Sequence, residues 1–358
     1  MNSFENNQPA FLGIQRGLSN ALQSGGIPIL NQFFEFLDLR RNAGSEQRKL
    51  LVEEMRVRYG DRRPDMIITV YAEALEFVLK DCRDVLPDIP ILALILPQGF
   101  DLPKRDRRII GQFSQSDIIG TLEIALKLVP GAKRVYLVGG AHPVDKIIED
   151  RARRDFKKWE TRLEFIYLSH MALEDMRDAV SKAPPGSIIL TLSFSGDVTG
   201  TAYTTPEVVE RLSRISTAQI FGVLDTTFGH GIVGGLLFSF EHTVTKSVEL
   251  VLNILSGRLT EDNFTERLTV ASVPMFDWRQ LRRWKLNEDA LPEGSIVINK
   301  ELTLWDFRYY IMGVLAFCLL ETALIIFLVI QRRRKKSAEA KYRSIFEGGV
   351  ERTSSSES

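Results

Sequence analysis

The sequence predicts an α/β protein of two lobes with parallel sheets, followed by one C-terminal transmembrane helix. Three observations lead there. Short apolar runs rich in β-branched and aromatic residues alternate with amphipathic helical patterns. Those runs are nearly continuous in apolar residues, as strands covered on both faces are. Residues 309–330, YYIMGVLAFCLLETALIIFLVI, carry a single charge, Glu321.

The elements follow in order. Residues 9–22 read as a helix, with Phe11, Leu12, Ile14, Leu18 and Leu22 at helical spacing. Strands are expected at 31–37, 66–71, 89–96, 134–138, 163–168, 187–192 and 219–224. Between them, 47–59 places Leu51, Val52, Met55 and Tyr59 on one helical face. The segment 117–128 does so with Ile118, Leu122, Ala125 and Leu126, and 144–159 with Ile147, Ile148, Ala152, Phe156 and Trp159. Thr205 is the expected N-cap of a further helix, with Pro206 at its first position. The division expected from this count is a first lobe at 1–111, completed by 231–303, and a second at 112–230. A doubly wound lobe opens with a strand, and this chain opens with a helix, so a first strand is missing. Residues 1–11, MNSFENNQPAF, also have no basic or apolar region of an export signal. A displaced start, or a chain that is a fragment, is expected to account for both.

The span 308–331 is long enough to cross a hydrocarbon core, at about 1.5 Å per residue over roughly 30 Å. Trp305, Tyr309 and Tyr310 sit where interfacial aromatics belong. Arg332, Arg333, Arg334, Lys335 and Lys336 follow at once, whereas the twenty residues before Arg308 hold one basic residue, Lys300, against five acids. That bias places the C-terminus, 332–358, in the cytoplasm and the large N-terminal region outside the inner membrane. Glu321 suits a helix-pairing role in a homodimer.

Composition excludes several classes. Lys+Arg and Asp+Glu each number 46, so the basic excess of a nucleic-acid binder is absent. Cys82 and Cys318 are the two cysteines, one of them in the membrane segment, so there is no disulfide scaffold. His142, His170, His230 and His242 have no partner at metal-ligand spacing, and no metal or cofactor is expected. Ser195 and Asp197 lack a nucleophile elbow, and no segment assembles nucleophile, base and oxyanion donor, so no catalytic residue is assigned.

In an open α/β sheet, ligands bind outside the carboxyl ends of the strands. The loops there give the candidate contacts: Tyr71, Gln98, Gly140, Ser193, Ser195, Asp197, Tyr203, Asp225 and His230. The 193–203 loop, SFSGDVTGTAY, offers hydroxyls and backbone N–H groups suited to a carboxylate, a phosphate or a sugar. The same residues also suit the turns of a solvated loop, and both readings stay open. Gly229, Gly231 and Gly234 fit G-x-G-x-x-G, but a strand pattern follows where a dinucleotide site needs a helix. A tight interlobe crossover is expected there instead. Asp225 and His230 suit a hydrogen-bonded hinge better than an acid–base pair.

Several stretches carry a family resemblance. FLGIQRGLSNALQSGG at 11–26, VGGAHPVD at 138–145, the strand-loop-helix at 188–212 and FGVLDTTFGHGIVGG at 221–235 occur in an order that spans some 250 residues. Over 9–259 the chain resembles the periplasmic-binding-protein-like sensor domains related to the solute-binding proteins of ABC importers. KSAEAKYRSIFEGGVE at 336–351 resembles the opening helix of a PAS domain in membrane-bound sensor histidine kinases, with Tyr342, Ile345 and Phe346 as its apolar positions. The resemblance implies a two-lobed fold that closes on a small molecule and signals across the membrane as the input of a two-component system. It also implies an alternative, a tethered solute-binding component of an ABC importer.

Overall fold

The computed structural model describes residues 1–2, 9–39, 44–103, 107–256, 267–300 and 307–354. They fall into two compact units, Met1–Lys300 and Glu301–Ser358.

Within the first unit, one sheet runs β1 (Ile67–Val70), β2 (Ile91–Leu96), β3 (Ile109–Phe113) and β9 (Arg267–Thr269), in that spatial order and all parallel. The expected first strand has a counterpart in one residue. Asn2 bridges in parallel to both Val70 and Phe36, and so lies between the 31–37 region and β1. Phe36 contributes only that bridge, and the strand expected at 31–37 is otherwise irregular; residues Ile29–Asn31 form a short 3-10 turn. Leu92 and Leu94 pack with α1 (Pro9–Ser24) and α8 (Phe240–Leu255) on one face of the sheet. Ile91, Ala93 and Leu96 pack on the other, with α2 (Ser45–Tyr59) and α3 (Ala72–Lys80). Every residue of β2 is therefore buried, which is why its sequence reads as an unbroken apolar run. The alternation slips at Ile95, where a bulge sets φ to 60° and Gln112 Oε1 accepts from the Ile95 N–H at 2.9 Å.

The second sheet has seven strands in the order β11-β10-β8-β7-β6-β4-β5. They are β4 (Arg134–Val138), β5 (Glu164–Tyr167), β6 (Ser187–Thr191), β7 (Gln219–Gly222), β8 (Gly234–Leu237), β10 (Val273–Asp277) and β11 (Ile296–Ile298). All neighbours are parallel except β8 and β10. One face is covered by α4 (Ile118–Leu128), α5 (Pro143–Asp155) and α9 (Trp278–Arg283), the other by α6 (Leu173–Ser181) and α7 (Thr205–Ser213). The cap of α7 lies one residue before the expected Thr205. Thr204 accepts from the Glu207 N–H, while Glu207 accepts from the Thr204 N–H, a reciprocal box.

The expected return of 231–303 to the first lobe is corrected. Only α8 and β9 return; β8, β10 and β11 extend the second sheet. The cause is the Gly234-Gly235 pair. A Cβ on Gly234 would meet Met275 O at 2.2 Å, and one on Gly235 would meet Gly222 O at 2.3 Å. Only bare backbone fits between β7 and β10, so the glycines that resemble a crossing instead admit a central strand. Gly229–Gly234 is a turn inside the second lobe, not the expected crossover.

The second unit contains α10 (Arg308–Ser354), whose Arg308–Ala340 portion is long and apolar enough to cross a membrane. The PAS-like stretch 336–351 lies within this same continuous helix.

Candidate functional site

The chain passes between the lobes three times: at 114–117 after β3, at 238–239 after β8 and at 270–272 after β9. Each passage leaves from the carboxyl end of a strand. The carboxyl ends of both sheets therefore border the seam between lobes, where α/β sheets hold ligands. In the second sheet, strand order reverses between β4 and β6, so its switch point lies between the loops that follow those two strands.

A buried carboxylate that the sequence reading passed over organises this point. Asp145, in the first turn of α5, is fully buried. Its Oδ1 accepts from the Ser193 hydroxyl at 2.7 Å and the Ser195 hydroxyl at 3.2 Å; its Oδ2 accepts from the Ser195 N–H at 2.8 Å. The Gly140 N–H donates to Ser193 O at 3.0 Å, and the Ala141 N–H to Gly196 O at 2.8 Å, closing the loops onto each other. Gly140 makes room for the acid: a Cβ there would stand 2.2 Å from Asp145 Oδ2. The visible signal was the acid closing VGGAHPVD, which reads as a helix start and gives no hint of its partners.

Four of the expected residues come together here. Gly140, Ser193 and Ser195 surround Asp145, and the Tyr203 N–H donates to Ser195 O at 3.3 Å while its ring meets Phe194 edge-on at 6.2 Å. Ser193, Ser195 and Tyr203 are partly exposed. Asp145 fills the start of α5 with negative charge, which weakens that helix end as an anion site. The hydroxyl oxygens of Ser193 and Ser195 keep acceptor capacity for a donor on a ligand.

The other candidates separate. Asp197 is buried and holds its own loop: Oδ2 accepts from the Leu173 N–H at the start of α6, at 3.0 Å, and Oδ1 from the Thr199 N–H at 2.9 Å. The Thr199 hydroxyl, helped by those N–H groups, holds its carboxyl below the usual carboxylate range. Tyr71 follows β1 with φ at 69°, its N–H bonded to Leu94 O. Gln98 is exposed after β2, and its carbonyl accepts from Arg267 at 3.0 Å. Both belong to the first lobe's sheet. Asp225 lies at the second crossing, where Oδ2 accepts from the Phe240 N–H at the start of α8, at 3.0 Å. Burial pushes its carboxyl up to about 6. It does not meet His230, whose carbonyl accepts from Ser213 at the end of α7 and whose Nδ1 lies 3.7 Å from Glu210. His230 sits toward the amino end of β7, since Val233, three residues on, pairs with Ile220. Among the described residues, no group of three or more His, Cys, Asp or Glu side chains could hold a metal ion.

No protein-family model matches the chain, and no curated protein matches it. Solved structures do. A substrate-binding protein with adhesive properties from Clostridium difficile, in a ligand-free, open form, aligns with a TM-score of 0.57 at 14% identity, covering 84% of this chain and 98% of that one. The fold is periplasmic-binding-protein-like. An ABC domain from Streptococcus pneumonia in complex with L-Trp aligns at 0.55 and 13% identity, over 83% of this chain and 97% of that one. A conserved domain protein from Vibrio cholerae aligns at 0.53 and 14%, over 83% and 97%. This binding-protein-like fold is joined in one chain to a helix of membrane-spanning length and apolarity.

Proposed function

We propose that the chain is a membrane-anchored receptor for a small molecule. Residues 1–300 bind the ligand outside the inner membrane, α10 crosses the bilayer once, and the basic residues 332–336 lie in the cytoplasm. The signal passes to a cytoplasmic output of the histidine-kinase type. Ser193, Ser195 and Tyr203 contact the ligand from the second lobe, and Tyr71 and Gln98 from the first. Gly140 and Asp197 shape the second lobe's loops, and Asp225 acts in the hinge. One observation carries this reading. Strand β11, at the edge of the second lobe's sheet, ends at Ile298, and the apolar helix begins at Arg308. A ligand shifts the open–closed equilibrium only by its differential affinity, on a coupling scale of about 1–3 kcal/mol.

The S. pneumonia domain holds L-Trp, so aromatic amino acids head the ligand screen. The test is thermal unfolding of the full chain in detergent with amino acids, purines, sugars and organic acids. Binding raises the midpoint by mass action. Ser195→Ala and Tyr203→Ala should lower that gain, and an unchanged gain in both sinks the cleft assignment. The substrate-binding description of the C. difficile protein favours a second reading, a tethered component of an importer. Ligand uptake that depends on this chain, with no change in cytoplasmic phosphorylation, would support it over the receptor.

A further inference from the structure

Two non-glycine residues with positive φ stand side by side at the carboxyl ends of β1 and β2. Tyr71 has φ 69° and ψ 162°, a combination that belongs almost wholly to glycine, and Ile95 has φ 60°. The Tyr71 N–H donates to Leu94 O at 2.9 Å, so the two sites adjoin. A β-branched residue with positive φ is an outlier that its surroundings must impose. For Ile95 the imposing group is Gln112, a fully buried amide in the apolar strand β3. Its Oε1 accepts from the Ile95 N–H at 2.9 Å, replacing the ladder bond that the bulge breaks, and its Nε2 donates to Phe113 O at 2.8 Å. Leu94 and Ile95 consequently face the same core, that of α1 and α8, and Leu96 faces the other. A regular strand would send Ile95 to the opposite face and turn over each residue after it.

The end of β2 set in this way is fastened to the hinge. Ser114 opens the first interlobe passage; its N–H donates to Leu96 O at 2.9 Å, and its carbonyl accepts from Gln98 Nε2 at 3.5 Å. Arg267 lies in β9, the strand that leads into the third passage. It donates to Gln98 O at 3.0 Å and to Phe100 O at 3.3 Å, with its guanidinium 3.6 Å over the Phe113 ring. The loop 97–100 is therefore bonded to the roots of two of the three passages.

We infer that Gln112 is a positioning residue of the ligand cleft: it locks β2 into the bulge that sets Gln98 at the seam and couples the 97–100 loop to the hinge. This rests on Gln98 contacting the ligand, as proposed above. The test is amide hydrogen exchange on the full chain in detergent. Gln112→Met fills the same space without the acceptor or the donor. The Phe100 and Ser114 amides, bonded to Pro97 O and Leu96 O, should then exchange together about tenfold faster, with β1, β4 and β6 unchanged. Adding Ile95→Gly should restore protection at both amides, because glycine holds φ 60° unaided, even though the lost side chain lowers global stability. A role in packing alone makes the double variant worse than either single one, and that result overturns the inference. So does unmoved exchange at Phe100 and Ser114, or a rise spread evenly over β1, β2 and β3. With L-tryptophan as probe, the gain in thermal midpoint should fall in Gln112→Met and return in the double variant. A parent chain with no response to any compound of the screen would sink the receptor reading, and the exchange result, which needs no ligand, would still decide the role of Gln112.

Discussion

Asp145 ties the β4 loop to the β6 loop with one carboxylate and three donors. Removing it strands buried donors, so Asp145→Ala should cost about 2–4 kcal/mol, measured by denaturant unfolding in detergent. Gly140→Ala drives a methyl against the same carboxylate and should cost about 1–3 kcal/mol by overpacking. Asp225 gives a pH signature. Its folded pKa, about 6, stands above its ordinary 3.8, so the folded state holds the proton more tightly. That contribution is complete below about 3.8 and is lost as pH rises through about 6. Asp225→Asn should therefore flatten the fall in thermal midpoint between pH 5 and pH 8, by about 1–3 kcal/mol at the upper end. An unchanged profile would show that this carboxyl is ordinary.

Elements with a strong local period were legible from the sequence. The helices at α1, α4 and α7 follow from apolar spacing, and β2, β4, β6 and β7 from apolar runs bounded by turns. The strands that escaped were β3, which carries Gly111, β10, which carries Pro274, and the three-residue β9 and β11. β8 is Gly234-Gly235-Leu236-Leu237; its leucines carry the strand pattern that follows the glycines, but its first two residues hide its start because they are selected for the space they leave. β9 and β11 have three residues each and take their structure from a neighbour's edge. Half of the candidate site was legible, since hydroxyls after a strand can be read from a single sequence. The bond from Asp145 to Ser193 spans 48 positions and cannot. At this scale the Thr204–Glu207 box predicts that Thr204→Ala destabilises by about 1 kcal/mol through α7. Amide exchange should rise first in that helix.

For the whole molecule, the connection to α10 leaves from the second lobe, not the first as expected from the sequence. The last residues before it are pinned there. Asn299 donates to Asp277 Oδ2 at 3.0 Å, Lys300 to Glu288 at 3.0 Å, and the Trp278 indole to the other Glu288 oxygen at 2.9 Å. Asp277 is fully buried, caps α9 and also binds Arg279. Asp277→Ala should lower stability by about 3 kcal/mol and free the end of β11, seen as faster proteolysis after Lys300. Ligand-induced thermal stabilisation should survive it, because the cleft residues proposed above lie elsewhere.

The three interlobe passages have a mechanical consequence. The first and third are stitched together where the Asp117 N–H meets Ser272 Oγ at 3.3 Å, and the second is fastened by Asp225. Two bodies strapped at several points swing more readily than they swivel. On the proposed receptor function, every ligand that shuts the two lobes would drive the same stroke, so chemically different ligands would differ in how long the lobes stay shut and not in the direction of the movement.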